Sequence, residues 1–189
     1  MSIPTPTIPT FTDGMIVHAA DLNALAANLT NLYNYNQAGF VSQRPCVIAK
    51  QTTGQTLATN TDTLINFQSA AINTDNMWTA SVPNQFTIQH AGIYWLFTQT
   101  KWPTSAAGNA VSSSILVNGT NAVTNSVATQ LLGTYASGSG PSTQCGVLVN
   151  LAANATVYLN GWQNTGANQT LSTGFGSTFL GAVFLTPST

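Results

Sequence analysis

The chain has 189 residues, of which only 4% are charged: three Lys and Arg against four Asp, with no Glu, for a net charge of −1. Three scattered cations exclude a phosphate-binding surface, which draws its free energy from clustered Lys and Arg releasing counterions, so no nucleic-acid partner is expected. Soluble domains carry about 25% charged residues, and a surface this poor in mutual repulsion suits a protein that lives inside an assembly.

At the start, Pro4, Pro6 and Pro9 alternate with Thr and Ile. Proline fixes φ and removes a backbone donor, so residues 1–17 are expected to form an extended arm with polyproline character. With Phe11, these prolines are the expected docking element for a partner. The start lacks the basic and apolar regions of a signal peptide, and no run reaches the ~18 apolar residues of a membrane span, so synthesis in a cytosol without membrane insertion is expected. On that route the N-x-S/T triplets at Asn28, Asn118, Asn154 and Asn168 are not glycosylation sites.

Residues 18–36, HAADLNALAANLTNLYNYN, read as a helix. Leu22, Leu25, Leu29 and Leu32 recur at spacings of three, four and three, a heptad seam, with Asn23, Asn28 and Asn31 on the other faces. Asp21 suits the positive end of the helix dipole. Two heptads hold poorly alone, and the narrow stripe favours self-association over packing on the chain's own domain.

From residue 45 onward the pattern changes to short runs of β-branched and aromatic residues separated by Gly, Asn, Pro and Ser. Strands are expected at 45–50, 62–68, 76–80, 84–89, 92–100, 111–117, 121–131, 143–150, 155–162 and 178–186, with a hairpin turn at Asn118-Gly119. Ten strands without βα alternation imply an antiparallel sandwich over 40–189. One strand breaks the usual alternation: Ile93, Tyr94, Trp95, Leu96 and Phe97 are consecutive, so neither face of it is polar.

The groups able to move protons or attack are few: four Asp, two His and two Cys. There is no G-x-S-x-G, no Walker loop and no H-E-x-x-H, and G-F-G-S-T-F at 174–179 lacks the third Gly of a dinucleotide loop. His18 reads as the residue before the helix and His90 as a strand-end residue. No enzyme activity and no cofactor are expected.

The order of several phrases resembles the globular C1q domain, the jelly roll shared with the tumour necrosis factor superfamily. These are TLINFQ (63–68), MWTASVPNQFTIQHAGIYWLF (77–97), SILVNGT (114–120), VNLAANATVYL (149–159) and STFLGAVFL (177–185). Phe86, Thr87, Ile88, Ala91, Gly92, Tyr94 and Phe97 match the family's "FTVPxAGxYxF" phrase. Departures are the inverted Asn66-Phe67, Asn154-Ala155 in place of Gly-Asp, and a one-residue shift in the last strand's Phe179, Gly181 and Leu185. The resemblance implies an all-β, antiparallel ten-strand jelly-roll sandwich, preceded here by the arm and the short helix. It also implies a homotrimer in which one sheet meets its neighbours. Tyr94, Leu96, Phe179 and Phe184 are then expected at the trimer interface, with Leu22, Leu25, Leu29 and Leu32 on the same axis.

If the family's strand order holds, Cys46 and Cys145 lie on one sheet with two strands between them, roughly 14 Å apart at ~4.8 Å per strand. That exceeds the ~7 Å reach of a disulfide, so free buried thiols are expected. Some C1q-like domains bind calcium through loop carboxylates. Here Asp62 and Asp75 alone fall short of the about six to eight oxygens calcium takes, and no metal is expected.

The opening PTFTDGMIVHAADLNALAANLTNL (9–32) is similar to the first segments of small virion proteins of tailed bacteriophages, minor tail proteins and head fibres among them. That resemblance implies a non-enzymatic trimeric virion protein made in the host cytoplasm. Its arm and helix would anchor it to other virion proteins of the tail, and its head would project towards the host surface. A capsid decoration or head-fibre role is the alternative, and a secreted bacterial lectin a further one. A host-surface glycan contact would fall to Tyr135, Trp102 and Trp162 and the Asn/Thr-rich loop 163–173, whose uncharged side chains suit sugars.

Overall fold

The computed structural model describes residues 23, 26–27, 44–104, 110–132, 140–173 and 178–187. The chain divides into two units, Met1–Arg44 and Pro45–Thr189. In the first unit Asn23, Ala26 and Ala27 are helical and exposed, inside the expected helix. Pro4, Pro6, Pro9, Phe11, His18, Leu22, Leu25, Leu29 and Leu32 lie outside the described residues.

Among the described residues, the regular structure of the second unit is strand apart from one short helix. In chain order it runs β1 (Cys46–Lys50), β2 (Thr56–Leu57), β3 (Thr63–Leu64), β4 (Ser69–Asn73), β5 (Trp78–Thr79), β6 (Val82–Thr87), β7 (Gly92–Lys101) and β8 (Val111–Val117). A one-turn helix α1 (Ala122–Asn125) follows, then β9 (Ser126–Leu132), β10 (Ser142–Leu151), β11 (Thr156–Gln163), β12 (Gln169–Thr170) and β13 (Phe179–Thr186). One sheet has the order β10-β7-β13-β1-β4; the other has β5-β6-β11-β8-β9, with β3 also pairing on β11. Every pairing is antiparallel. Neighbours so far apart in sequence require strands to cross between sheets, which is the jelly-roll connection.

The core lies between the sheets and follows the period-two rule. From the first sheet come Val47, Ala49, Tyr94, Leu96, Leu180, Ala182 and Phe184, and from the second Phe86, Val111, Ile115, Val157 and Leu159, all buried. The rings of Tyr94 and Phe184 meet edge to face at 5.3 Å, and the Tyr94 hydroxyl donates to the His90 carbonyl at 2.9 Å. One end of the core is polar. There the Trp102 indole donates to Thr143 Oγ1 at 3.1 Å, and Thr143 in turn hydrogen-bonds Ser113 Oγ. A buried Trp and buried hydroxyls need such partners, because an unpaired polar group costs more than the bond gains.

Two local expectations are corrected. The β8–β9 connection is not a two-residue turn at Asn118-Gly119. Asn118 does take positive φ (+55°), but the chain then forms α1, because Asn121 Oδ1 accepts from the amides of Val123 and Thr124, an N-cap. The first residues of the expected strand 121–131 are therefore helical. β4, in a stretch expected to connect strands, pairs along β1 as an edge strand.

Candidate functional site

The feature that asks for a partner is the outward face of the five-stranded sheet. Since Tyr94, Leu96, Thr98 and Thr100 point inward and are buried, alternation sends Ile93, Trp95, Phe97, Gln99 and Lys101 outward. Registers then assemble rows across the strands. Cys46, Val183, Trp95 and Leu148 form one row, and Ile72, Ile48, Gly181, Phe97 and Gly146 the next. Leu148 is 58% exposed, Ile72 42%, Trp95 40% and Leu185 37%.

Glycines let the aromatic rings lie down on this face. A Cβ at Gly181 would stand 2.3 Å from the Phe97 ring, and one at Gly146 would stand 2.8 Å from the Trp95 ring. Phe97 meets Phe179 at 6.0 Å with planes 66° apart. Polar groups gather at one end of the face, where Lys50, Phe179, Gln99 and Gln144 share a row and Gln144 Nε2 donates to Gln99 Oε1 at 2.6 Å. Lys101 Nζ donates to the Gly140 carbonyl at 2.6 Å.

Several expected site residues fall elsewhere. Tyr94, Leu96 and Phe184, expected at a subunit interface, belong to this subunit's own core. Of that set only Phe179 is on the outward face. The strand is apolar on both faces as expected, but its outer set is Ile93, Trp95 and Phe97. The signal that separates the faces is Lys101, together with Gln99. A charged side chain must reach solvent, and counting back in twos from it lands on 97, 95 and 93.

Trp102 is fully buried, so it has no face to offer a sugar, and its role is the hydrogen-bonded polar end of the core. Trp162 is half-buried on the outward face of the six-stranded sheet. Tyr135 lies outside the described residues.

The two cysteines are free. Cys46 on β1 and Cys145 on β10 are separated by β13 and β7, as the expected strand order requires, and they point to opposite faces. Cys145 Sγ lies 3.8 Å from the Ser113 carbonyl, and burial pushes its thiol up to about 11. Burial also raises the Cys46 thiol above its ordinary value. Thiols held protonated are poor nucleophiles. Asp62 Oδ1 accepts from Asn160 Nδ2 at 2.7 Å, and Asp75 lies 3.3 Å from His90 Nε2. Among the described residues no three His, Cys, Asp or Glu side chains come together as a metal site would require.

No family model and no curated protein sequence matches the chain. Solved structures do match in shape. Murine APRIL at pH 5.0 superposes with a TM-score of 0.59 at 15% identity, over 76% of this chain and all of that one. Eiger TNF from S. frugiperda gives 0.55 at 12% identity, covering 77% of this chain and 96% of that one. The globular domain of zebrafish complement 1qA gives 0.52 at 9% identity, covering 77% and 100%. At such identities the likeness is one of fold, and the fold of residues 45 onward is the all-β jelly-roll sandwich of the tumour necrosis factor and C1q proteins.

Proposed function

We propose that this chain is a non-enzymatic, homotrimeric structural protein of a tailed-phage virion. Its N-terminal arm and helix anchor it to the tail, and its jelly-roll head projects towards the host surface. The observation that carries the trimer is the outward face of the five-stranded sheet. Trp95, Leu148, Ile72 and Leu185 are all more than a third exposed on it. A contiguous apolar face of that kind marks a protein interface.

A threefold ring closes only when two unlike patches of one subunit fit each other. The second patch is the edge formed by α1 and β9, where Val123, Val127 and Leu131 are exposed and which carries no charged residue. Placement in a virion is supported by the resemblance of residues 9–32 to phage virion proteins and by a surface with 4% charge. Capsid decoration is the second reading, favoured by the same arm and helix.

Sedimentation equilibrium of the full chain tests the assembly. The expected mass is about three times 19.7 kDa; a stable monomer at micromolar concentration would remove the reading. Gold-labelled antibody on intact particles tests the location. Label at the tail tip is expected, label over the head selects decoration, and no label on the particle sinks both.

A further inference from the structure

The six-stranded sheet turns a different surface outward, and one row of it has, at the end away from β9, a layout that the trimer does not use. β11 pairs with β3 through Asn160↔Leu64 and Gly161↔Thr63, so continuing the register one step sets Asp62 opposite Trp162. On the other side Trp162 pairs with Ser112, and Ser112 with Leu131. Asp62, Trp162, Ser112 and Leu131 thus form one cross-strand row, with Asn160 two residues along on the same face of β11.

The carboxylate in this row is held in place. Asn160 is 1% exposed, and its Nδ2 donates to Asp62 Oδ1 at 2.7 Å, while Oδ1 of the same amide has no hydrogen-bond partner among the described residues. Asp62 itself is exposed. A carboxylate offers about four lone-pair positions and this bond uses one, so the remainder face solvent. The chain has only four carboxylates, and this one is orientated by a buried amide beside a half-exposed indole.

We propose that Asp62 and Trp162, with the buried Asn160 holding the carboxylate in place, form a binding site for a neutral glycan. An indole offers an apolar face with the area of a pyranose ring, and the C–H face of a sugar can lie on it. A fixed carboxylate beside the ring accepts from adjacent sugar hydroxyls in charge-assisted bonds. Anionic sugars are disfavoured, because Lys50 and Lys101 belong to the other sheet and Asp62 would repel a carboxylate. In the trimer the five-stranded face of one subunit meets the α1–β9 edge of the next, and Asp62 and Trp162 lie beside β3 and on β11, two strands from that edge. The biological setting therefore rests on the proposed host-facing head, while the site needs only the folded subunit.

The test is an array of immobilised oligosaccharides, half neutral and half bearing uronic or sialic acids, probed with the full-length protein and followed by titration calorimetry on the best neutral hit. Neutral glycans are expected to bind. Asp62→Asn and Trp162→Ala should each weaken binding at least tenfold, and Trp162→Phe, which keeps an aromatic face, should retain most of it. Sedimentation of each variant is run in parallel. No binding by the wild type, preference for acidic glycans, or undiminished binding by both variants overturns the site. Because a monomeric wild type would instead overturn the assembly, the two failures are distinguishable.

Discussion

The two sheets share one core and differ in what they show outside it. Outward on the five-stranded sheet are Trp95, Phe97, Ile72, Leu148 and Val183, with rings laid flat over Gly146 and Gly181. Outward on the six-stranded sheet, polar side chains bond to one another. The Tyr158 hydroxyl donates to Gln85 at 2.9 Å, Ser114 and Thr129 share a bond of 2.8 Å, and Thr129 and Ser126 one of 2.7 Å. These bonds satisfy polar groups of the second face within the face itself. The first is apolar outside the end row of Lys50, Gln99 and Gln144 and leaves apolar area exposed, at a cost of about 25 cal/mol per Å² relative to burial. The difference teaches that fold and assembly are written on alternate residues of the same strands.

The sharpest way to break that comparison is to put the same charge on each face. Trp95→Asp should leave the circular-dichroism spectrum of a folded β protein but lower the sedimenting mass from about three times 19.7 kDa to 19.7 kDa, because a buried unpaired carboxylate at an interface is strongly penalised. Thr79→Asp, exposed on β5 at the edge of the other sheet remote from β9, should change neither the spectrum nor the mass. Equal behaviour of the two variants would show that the faces do not differ in role.

Inner and outer positions of neighbouring strands should separate in the same way. Leu96 is fully buried and Leu148 is 58% exposed. Leu96→Ala should cost about 2–5 kcal/mol in urea unfolding. Leu148→Ala should cost less than about 0.5 kcal/mol in the dissociated subunit while raising the concentration at which the trimer dissociates. Gly181→Ala is a smaller perturbation of the outer face. Its new Cβ would meet the far end of the Phe97 ring, which can lift away, so about 1 kcal/mol is expected in unfolding, together with weaker association.

Much of the sandwich was legible because its longer strands carry their own periodicity. β1, β7, β8, β10, β11 and β13 fall within a residue or two of their expected positions. What was lost lacks local signal. β4, Ser-Ala-Ala-Ile-Asn, is poor in β-branched and aromatic residues and forms because β1 offers it an edge. β2 and β12 are two residues each, too short for any period. α1 depends on a cap whose partners lie inside an apparent strand. At the interaction face, five apolar residues in a row conceal which parity is inner, so Tyr94 and Leu96 were expected on the wrong side. Lys101 and, on β1, Lys50 would have resolved it. The row of Asp62, Trp162 and Ser112 could not be read at all, since it exists only once the register of three strands is known.

The smallest effect should come from pH, and it sets the inner face against the outer one through their thiols. An unfolded cysteine ionises near 8.5, whereas Cys145 on the inner face is pushed up to about 11 by burial. Tyr94 behaves likewise: burial first, then the Asp75 carboxylate, outweigh its hydrogen bond to the His90 carbonyl and push it up to about 12. The native state therefore holds these protons after the unfolded chain has released them. Their contribution is complete below about pH 8.5 and declines as pH climbs towards the folded values, because unfolding then releases protons. Urea midpoints should fall steadily from pH 8.5 to 11. Iodoacetamide at pH 8.5 separates the faces, since the thiolate is the reacting form. Cys145 should stay unmodified in any folded state, whereas Cys46, whose thiol burial within the subunit also raises, should react slowly in the trimer and measurably faster in Trp95→Asp. Equal protection of Cys46 in that monomeric variant would mean that its shielding comes from the subunit's own fold, and the outward face would lose its claim to be the one a partner covers.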